Sequence, residues 1–257
     1  MSSLDNFEGT RKKGIYLLPN LLTTSGLFSG FYAIVAAMKS DFEIAAIALF
    51  IAIIMDGLDG RAARLTSTES AFGAQYDSLS DMVCFGIAPA LVVYSWGLHT
   101  LGKIGWLAAF FYSAATALRL ARFNTQAENK DNRYFLGIPC PAAGGLIASM
   151  VWVGTDINIQ GTHISELVAL VTVSVAFLMI SNIKYRSFKE FDLKDNVPFV
   201  AIQIVVLIYL LIAWDPPKVL FCIFNCYTLL GIMIWLRNSI LLLLLKLKTS
   251  IQNSTNN

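Results

Sequence analysis

The chain has 257 residues, of which 56% are hydrophobic and 14% are charged. Soluble globular proteins carry about 25% charged residues, so this composition excludes an ordinary soluble enzyme and indicates a protein that folds within a lipid bilayer. The formal net charge of +2 is uninformative as a total, although its distribution along the chain is informative. We expect no binding of nucleic acid.

Apolar runs, taken in chain order, predict an all-α bundle of eight transmembrane helices that forms one domain over residues 1–257. The runs lie at residues 17–38, 42–64, 72–97, 104–123, 138–154, 164–182, 197–214 and 219–236. About 20 helical residues cross the hydrocarbon core, and the fifth and seventh runs are shorter than that. A polar segment, 1–14, precedes the first run. The eighth run leads to an apolar tail helix at 240–247, continuous with it or broken at Arg237, and the polar residues 249–257 are predicted to be disordered.

The basic residues divide unevenly between the two sides that eight spans define. All but three of the 19 Lys and Arg residues fall in the terminal segments or in one set of alternate loops, and the exceptions are Lys39, Lys103 and Lys218. Because cytoplasmic loops are enriched in Lys and Arg, both termini are predicted to be cytoplasmic. The loop between the second and third spans lies on the same side.

Four aspartates lie near the cytoplasmic ends of the second and third spans. Asp56 and Asp59 are three residues apart and share one helical face. Asp77 and Asp81 are four residues apart and form a stripe on the next helix. At about 1.5 Å of rise per residue, Asp56 and Asp77 each lie about 12 Å inside the connecting loop. Since the two helices are antiparallel, the acidic faces are predicted to meet at equal depth.

This acidic cluster predicts a metal site. Carboxylates inside a membrane repel one another and lose hydration, so bound cations or protonation must offset their charge. Oxygen ligands without His or Cys favour Mg²⁺, Mn²⁺ or Ca²⁺ over zinc, and two divalent cations suit phosphoryl chemistry. Gly60, Ala63 and Gly73 are small enough for a ligand to approach the backbone, and Arg64 can pair with phosphate. The alternative is an ion or proton transporter whose path these acids would line.

One gapped pattern joins these residues: Asp56-x-x-Asp59-Gly60-x-x-Ala63-Arg64, eight residues, then Gly73-x-x-x-Asp77-x-x-x-Asp81. The pattern resembles the signature of the CDP-alcohol phosphatidyltransferase family at every fixed position. The resemblance implies that all four aspartates bind the metals and that Asp81 is the general base. It also implies contacts to the CDP-linked lipid from Asn20, Thr23, Gly60, Ala63, Arg64, Ser70 and Gly73.

Three further stretches, at residues 17–34, 118–124 and 134–145, resemble the bacterial branch of that family in which serine is the acceptor. This resemblance implies transfer of the phosphatidyl group of CDP-diacylglycerol to the hydroxyl of L-serine, with release of CMP, in the bacterial cytoplasmic membrane. Glycerol 3-phosphate, inositol phosphate and choline remain as alternative acceptors. Arg119 and Arg122 are candidates for binding an acceptor carboxylate or a lipid phosphate, or else anchors at the headgroup level. We also expect a homodimer.

Overall fold

The computed structural model describes residues 2–66, 70–125, 134–186 and 199–255 of the chain, and nearly all regular structure in these ranges is helical. The helices are α1 (Ser2–Met38), α2 (Phe42–Thr66), α3 (Ala71–Asp81), α4 (Ala88–Trp96), α5 (Lys103–Thr125), α6 (Cys140–Asp156), α7 (Ser165–Ile180), α8 (Phe199–Trp214) and α9 (Pro216–Thr255). Short 3-10 turns at Leu98–Leu101 and Gly161–Ile164 precede α5 and α7.

The predicted membrane spans coincide with helical structure. Five segments are long and apolar enough to cross a membrane: Leu18–Met38, Ala71–Trp96, Lys103–Thr125, Gly161–Ile180 and Pro216–Arg237. The other three predicted spans correspond to α2, which carries several charged residues, and to α6 and α8, which have 17 and 16 residues. The prediction of an all-α, polytopic membrane bundle is therefore confirmed, and the chain is an integral membrane protein.

Small side chains allow the first two helices to pack closely along their length. Ala33, Ala36 and Ala37 of α1 are buried, as are Ala45 and Ala48 of α2. Small residues let the backbones of membrane helices approach one another, which increases the dispersion contacts that replace a hydrophobic driving force in lipid. The α1–α2 pair therefore gives the bundle a rigid seam, and the acidic end of α2 is fixed relative to α1.

The third predicted span differs from a single regular helix. A π-helical turn at Met82–Ile87 separates α3 from α4, so that Ala88 donates its N–H to the Val83 carbonyl. Pro89 follows and has no N–H to donate to the preceding turn. The hydroxyl of Ser113 on α5 donates to the Gly86 carbonyl at 3.3 Å, which satisfies one backbone group in the irregular turn. The π turn begins directly after Asp81, at the end of the acidic stripe.

Two short strands depart from the expectation of a purely helical chain. β1 (Tyr134–Leu136) pairs antiparallel with β2 (Lys184–Arg186), with Phe135 opposite Tyr185. Aromatic residues favour extended backbone, and Gly137 with φ of +74° turns the chain from β1 toward α6. The sheet thus connects the cytoplasmic ends predicted for the fourth to seventh spans.

The terminal helices extend beyond the predicted spans. α1 begins at Ser2 and includes most of the polar segment 1–14, and α9 runs without interruption through Arg237 to Thr255. Of the segment 249–257, which is predicted to be disordered, residues 249–255 are helical in the structure, and 256–257 lie outside the described residues. No proline or glycine follows Gly231, so no backbone feature forces α9 to end earlier.

The last helix is attached to the rest of the bundle, whereas α8 is peripheral. α9 packs on α6 and on β2, but α8 contacts mainly α9. Gly231 lies directly against the ring of Tyr185, where a Cβ atom would overlap the ring. The Tyr185 hydroxyl donates to the Thr228 carbonyl at 3.4 Å. Tyr185 therefore fixes α9 to the sheet.

Candidate metal and substrate site

The structure brings three of the four predicted aspartates together at the junction of α2 and α3. Ligand oxygens of Asp56, Asp59 and Asp77 all lie within 4.8 Å of one another. Asp59 is buried and the other two are half-buried. Three carboxylates at this spacing, none of them fully exposed, need a compensating positive charge. Their oxygen-only chemistry and close approach fit divalent cations such as Mg²⁺ or Mn²⁺.

Asp81 lies next to this trio, one helical turn beyond Asp77. Its carboxyl group is within hydrogen-bonding reach of Asp56, and the charges of Asp59 and Asp77 also act on it. A cavity of about 10 Å³ opens between the three helices, lined among others by Thr23, Asp56, Asp59, Asp77, Ser80 and Asp81. This volume is about that of one water molecule, so a larger ligand must lie outside the cavity.

Thr23 is buried beside Asp59. Its hydroxyl is 2.7 Å from Oδ2 of Asp59 and 3.0 Å from the carbonyl oxygen of Pro19, and it can donate to either. The hydroxyl of Ser80 donates to the Thr23 carbonyl at 3.3 Å. These bonds connect α1 to both acidic helices. The family resemblance implies that Thr23 contacts the substrate, and the structure adds its contact with Asp59. The contact of Ser80 could not be predicted, because spacing along one helix gives no information about contacts between helices.

The start of α3 places three of the predicted substrate-binding residues close together. Ser70 is the N-cap of the helix, and its side-chain oxygen accepts a hydrogen bond from the Gly73 N–H at 3.0 Å. A Cβ atom on Gly73 would lie 3.6 Å from Oδ1 of Asn20 on α1. Ser70 is exposed, while Asn20 and Gly73 are half-buried. A helix N-terminus with small side chains is suited to approach by phosphate oxygens.

Arg64 lies over the glycine that follows Asp59. A Cβ atom on Gly60 would meet the two terminal nitrogens of Arg64 at 3.6 and 3.9 Å. The guanidinium group is exposed, and its charge acts on Asp59. Ala63 is half-buried one residue before it. The positive charge thus lies at the outer edge of the acidic cluster, where a ligand phosphate can reach it.

The two arginines of α5 differ in their surroundings. Arg122 donates to the carbonyl oxygens of Met179, Ile180 and Ser181 at the end of α7, at 3.2 to 3.4 Å. It also donates to the Leu136 carbonyl at 2.9 Å. Cations are favoured at helix C-termini, so Arg122 has a structural role that its spacing did not reveal. Arg119 is buried and donates to the same Leu136 carbonyl at 3.0 Å.

Comparison with known proteins connects this geometry to a family. The family model described as CDP-alcohol phosphatidyltransferase matches residues 16–180. A CDP-diacylglycerol–serine O-phosphatidyltransferase of Helicobacter pylori is 37% identical over 223 residues, which cover 86% of this chain and 92% of that protein. A protein of the same name from Bacillus subtilis is 32% identical over 173 residues, covering 67% of this chain and 92% of its own.

An archaetidylserine synthase of Methanothermobacter thermautotrophicus is 34% identical over 171 residues, covering 65% of this chain and 69% of its own. The matched region contains the acidic cluster, the N-cap of α3 and both arginines of α5. With this match over more than half of its length, the chain belongs to the CDP-alcohol phosphatidyltransferase family.

Proposed function

We propose that this protein transfers the phosphatidyl group of CDP-diacylglycerol to the hydroxyl of L-serine and releases CMP. The close approach of the Asp56, Asp59 and Asp77 oxygens, inside the family's motif, is the observation that carries the proposal. The names of the relatives from Helicobacter pylori and Bacillus subtilis support serine as the acceptor.

Asp56, Asp59, Asp77 and Asp81 would together hold two divalent cations, Mg²⁺ or Mn²⁺. When bound, such cations would neutralise negative charge that develops on the diphosphate during the transfer. The proposal places Arg64 against the diphosphate as well, because its guanidinium group is exposed at the edge of the cluster. Asn20, Gly60, Ala63, Ser70 and Gly73 would form the surface on which the CDP group lies.

Asp81 would act as the general base, since it is the aspartate adjacent to the trio on the deeper side. It takes the proton from the serine hydroxyl while that oxygen forms a bond to the lipid-linked phosphorus. The bond between this phosphorus and the oxygen of CMP breaks, and CMP leaves with its electron pair. General-base help of this kind contributes about 10²- to 10⁴-fold in rate.

The proposed enzyme lies in a bacterial cytoplasmic membrane with both termini on the cytoplasmic side. The charge distribution between loops supports this orientation. A homodimer is part of the proposal and is tested by the mass of the purified protein in detergent. Exposed apolar residues on α8 and α9 are available to lipid and to a second copy alike.

The function is tested with the full-length protein in liposomes that contain CDP-diacylglycerol. We expect CMP and phosphatidylserine to form when L-serine and Mg²⁺ or Mn²⁺ are present. Parallel reactions contain glycerol 3-phosphate, inositol phosphate or choline in place of serine. CMP release with one of these acceptors and not with serine would overturn the serine assignment.

Removal of divalent cations tests the metal site and the transporter alternative together. Excess chelator should abolish CMP release, and added Mg²⁺ or Mn²⁺ should restore it. Full turnover in chelator would exclude the metal role of the aspartates. Proton or ion flux in liposomes without any CMP release would favour a transporter instead.

A further inference from the structure

Arg119 presents a buried charge whose hydrogen-bonding capacity is incompletely used. Its side chain is 7% exposed, and its Nε atom has no hydrogen-bond partner within the described part of the chain. A charged group at membrane depth is costly unless it is paired, and such groups commonly belong to functional sites. The unpartnered N–H of Arg119 therefore requires an explanation.

The explanation cannot be the same as for its neighbour Arg122. Arg122 is surrounded by carbonyl oxygens at the end of α7, and these bonds use both of its terminal nitrogens. Arg119 shares with it only the Leu136 carbonyl, which accepts from one terminal nitrogen of Arg119. That bond holds one terminal nitrogen, and the buried Nε keeps no partner among the described residues.

Packing connects the segment of α5 that carries Arg119 to the acidic cluster. Leu120, the next residue, packs against the buried cluster of Ala52, Cys84, Phe85 and Cys140, and the first three of these also line the cavity beside Asp81. The charge of Asp81 acts on Arg119 as well, after those of Cys140, Arg122 and Tyr227. The ion pairs found among the described residues, in contrast, involve Lys218 with Asp156 and Asp215 at the other end of the bundle. Arg119 thus has no carboxylate partner within ion-pair distance in the described ranges.

A small acceptor that carries a hydroxyl group and a carboxylate fits these two residues. With its hydroxyl at Asp81, its carboxylate would supply the negative charge that Arg119 lacks. We propose that Arg119 binds the carboxylate of the amino-acid acceptor and so selects serine over acceptors without that group. This inference rests on the proposed function, and it makes Arg119 the residue that determines which acceptor is used.

The first test separates the acceptor from the lipid substrate. In Arg119→Gln, the KM for serine should rise about 10- to 100-fold, as expected for loss of a hydrogen-bonded ion pair, while the KM for CDP-diacylglycerol stays unchanged. Arg119→Lys should recover part of the affinity for serine, because lysine keeps the positive charge but lacks the planar guanidinium group. A rise in the KM for CDP-diacylglycerol with that for serine unchanged would show that Arg119 binds the lipid phosphate, which would overturn the inference.

Arg122→Gln is the matched control, since it removes an arginine one turn away on the same helix. It should lower the unfolding temperature in detergent, because α7 loses its cap, without changing the KM for serine in the folded fraction. If both variants raise the KM for serine equally, the effect comes from a general disturbance of α5 and the specific role of Arg119 is excluded.

Serinamide, in which a neutral amide replaces the carboxylate, gives a second test that does not depend on the amount of folded protein. Wild-type kcat/KM for serine should exceed that for serinamide about 10- to 100-fold, and Arg119→Gln should bring the ratio close to one. Equal use of both acceptors by the wild type would overturn the inference even if the variants do not fold. Absence of phosphatidylserine formation in the wild type would instead overturn the proposed function.

Discussion

The hydroxyl of Thr23 on α1 forms a hydrogen bond with an acidic residue on α2. Its oxygen is 2.7 Å from Oδ2 of Asp59, so it fixes the orientation of a predicted metal ligand. Outer-shell hydrogen bonds of this kind typically change metal affinity about 10- to 100-fold. We expect Thr23→Val to raise the concentration of Mn²⁺ needed for half-maximal activity by about that factor. Direct measurement of Mn²⁺ binding should show the same shift.

Thr23→Ser should restore Mn²⁺ affinity, because the hydroxyl is retained. Thr24→Val is the matched control: this neighbouring hydroxyl is exposed and lies 2.9 Å from the Tyr76 hydroxyl, so its loss should leave Mn²⁺ affinity unchanged. If Thr23→Val changes only the KM for CDP-diacylglycerol, Thr23 contacts the substrate instead.

Asp81→Asn tests the proposed base. At saturating metal, turnover should fall by about 10² to 10⁴, the usual contribution of general-base catalysis. Binding of CDP-diacylglycerol should be largely retained, because the three other aspartates remain. A joint loss of binding and turnover at saturating metal would mean that Asp81 mainly maintains the metal site.

At the scale of elements, the contact between α1 and the π turn determines where the acidic stripe ends. A Cβ atom on Gly30 would lie 3.0 Å from Sγ and 3.1 Å from Cα of Cys84. Because Cα cannot move without the backbone, Gly30→Val should displace the π turn and destabilise the protein by about 1–3 kcal/mol. Thermal unfolding in detergent measures the loss of stability, and the rate of CMP release should fall as well.

Phe31→Ala is the control for the helix itself, since Phe31 follows Gly30 on α1 and is 60% exposed. It should have little effect on unfolding temperature. If Gly30→Val is equally harmless, the close approach of α1 to the π turn is not needed for the site.

The sequence was sufficient to predict some elements and not others, for physical reasons. Helical spacing and equal depth predicted that Asp56, Asp59 and Asp77 would meet, because these depend only on rise and periodicity. The π turn could not be predicted, since it reflects packing against Gly30 and the hydrogen bond from Ser113, which lie on other helices. The cap that Arg122 provides for α7 likewise joins residues about 60 positions apart.

On the scale of the whole molecule, the two ends of the bundle are separated by the length of α5. Its 23 residues span about 34 Å, which is close to the thickness of the hydrocarbon core. Gly97 and Gly161 are in contact beyond one end, next to His99 and His163. Arg122 contacts Asn182 near the other end.

Cysteine labelling therefore tests the orientation, using a background from which native Cys222 and Cys226 have been removed. Cysteines placed at Lys130 and Lys189, which lie outside the described residues, should react with an impermeant reagent from the cytoplasmic side. Cysteines at His99 and His163 should react from the opposite side. Reaction of all four from one side would overturn the predicted topology of eight spans.

The attachment of α9 to the core through Tyr185 has a consequence for biosynthesis. The family's matched region ends at residue 180, and α8 contacts mainly α9. The ribosome therefore delivers α8 to the membrane before the helix that holds it has been made. During that interval α8 lacks its main contact, and α6 also lacks the helix that packs on it. Only when Gly231 reaches the ring of Tyr185 do the last two helices join the enzyme.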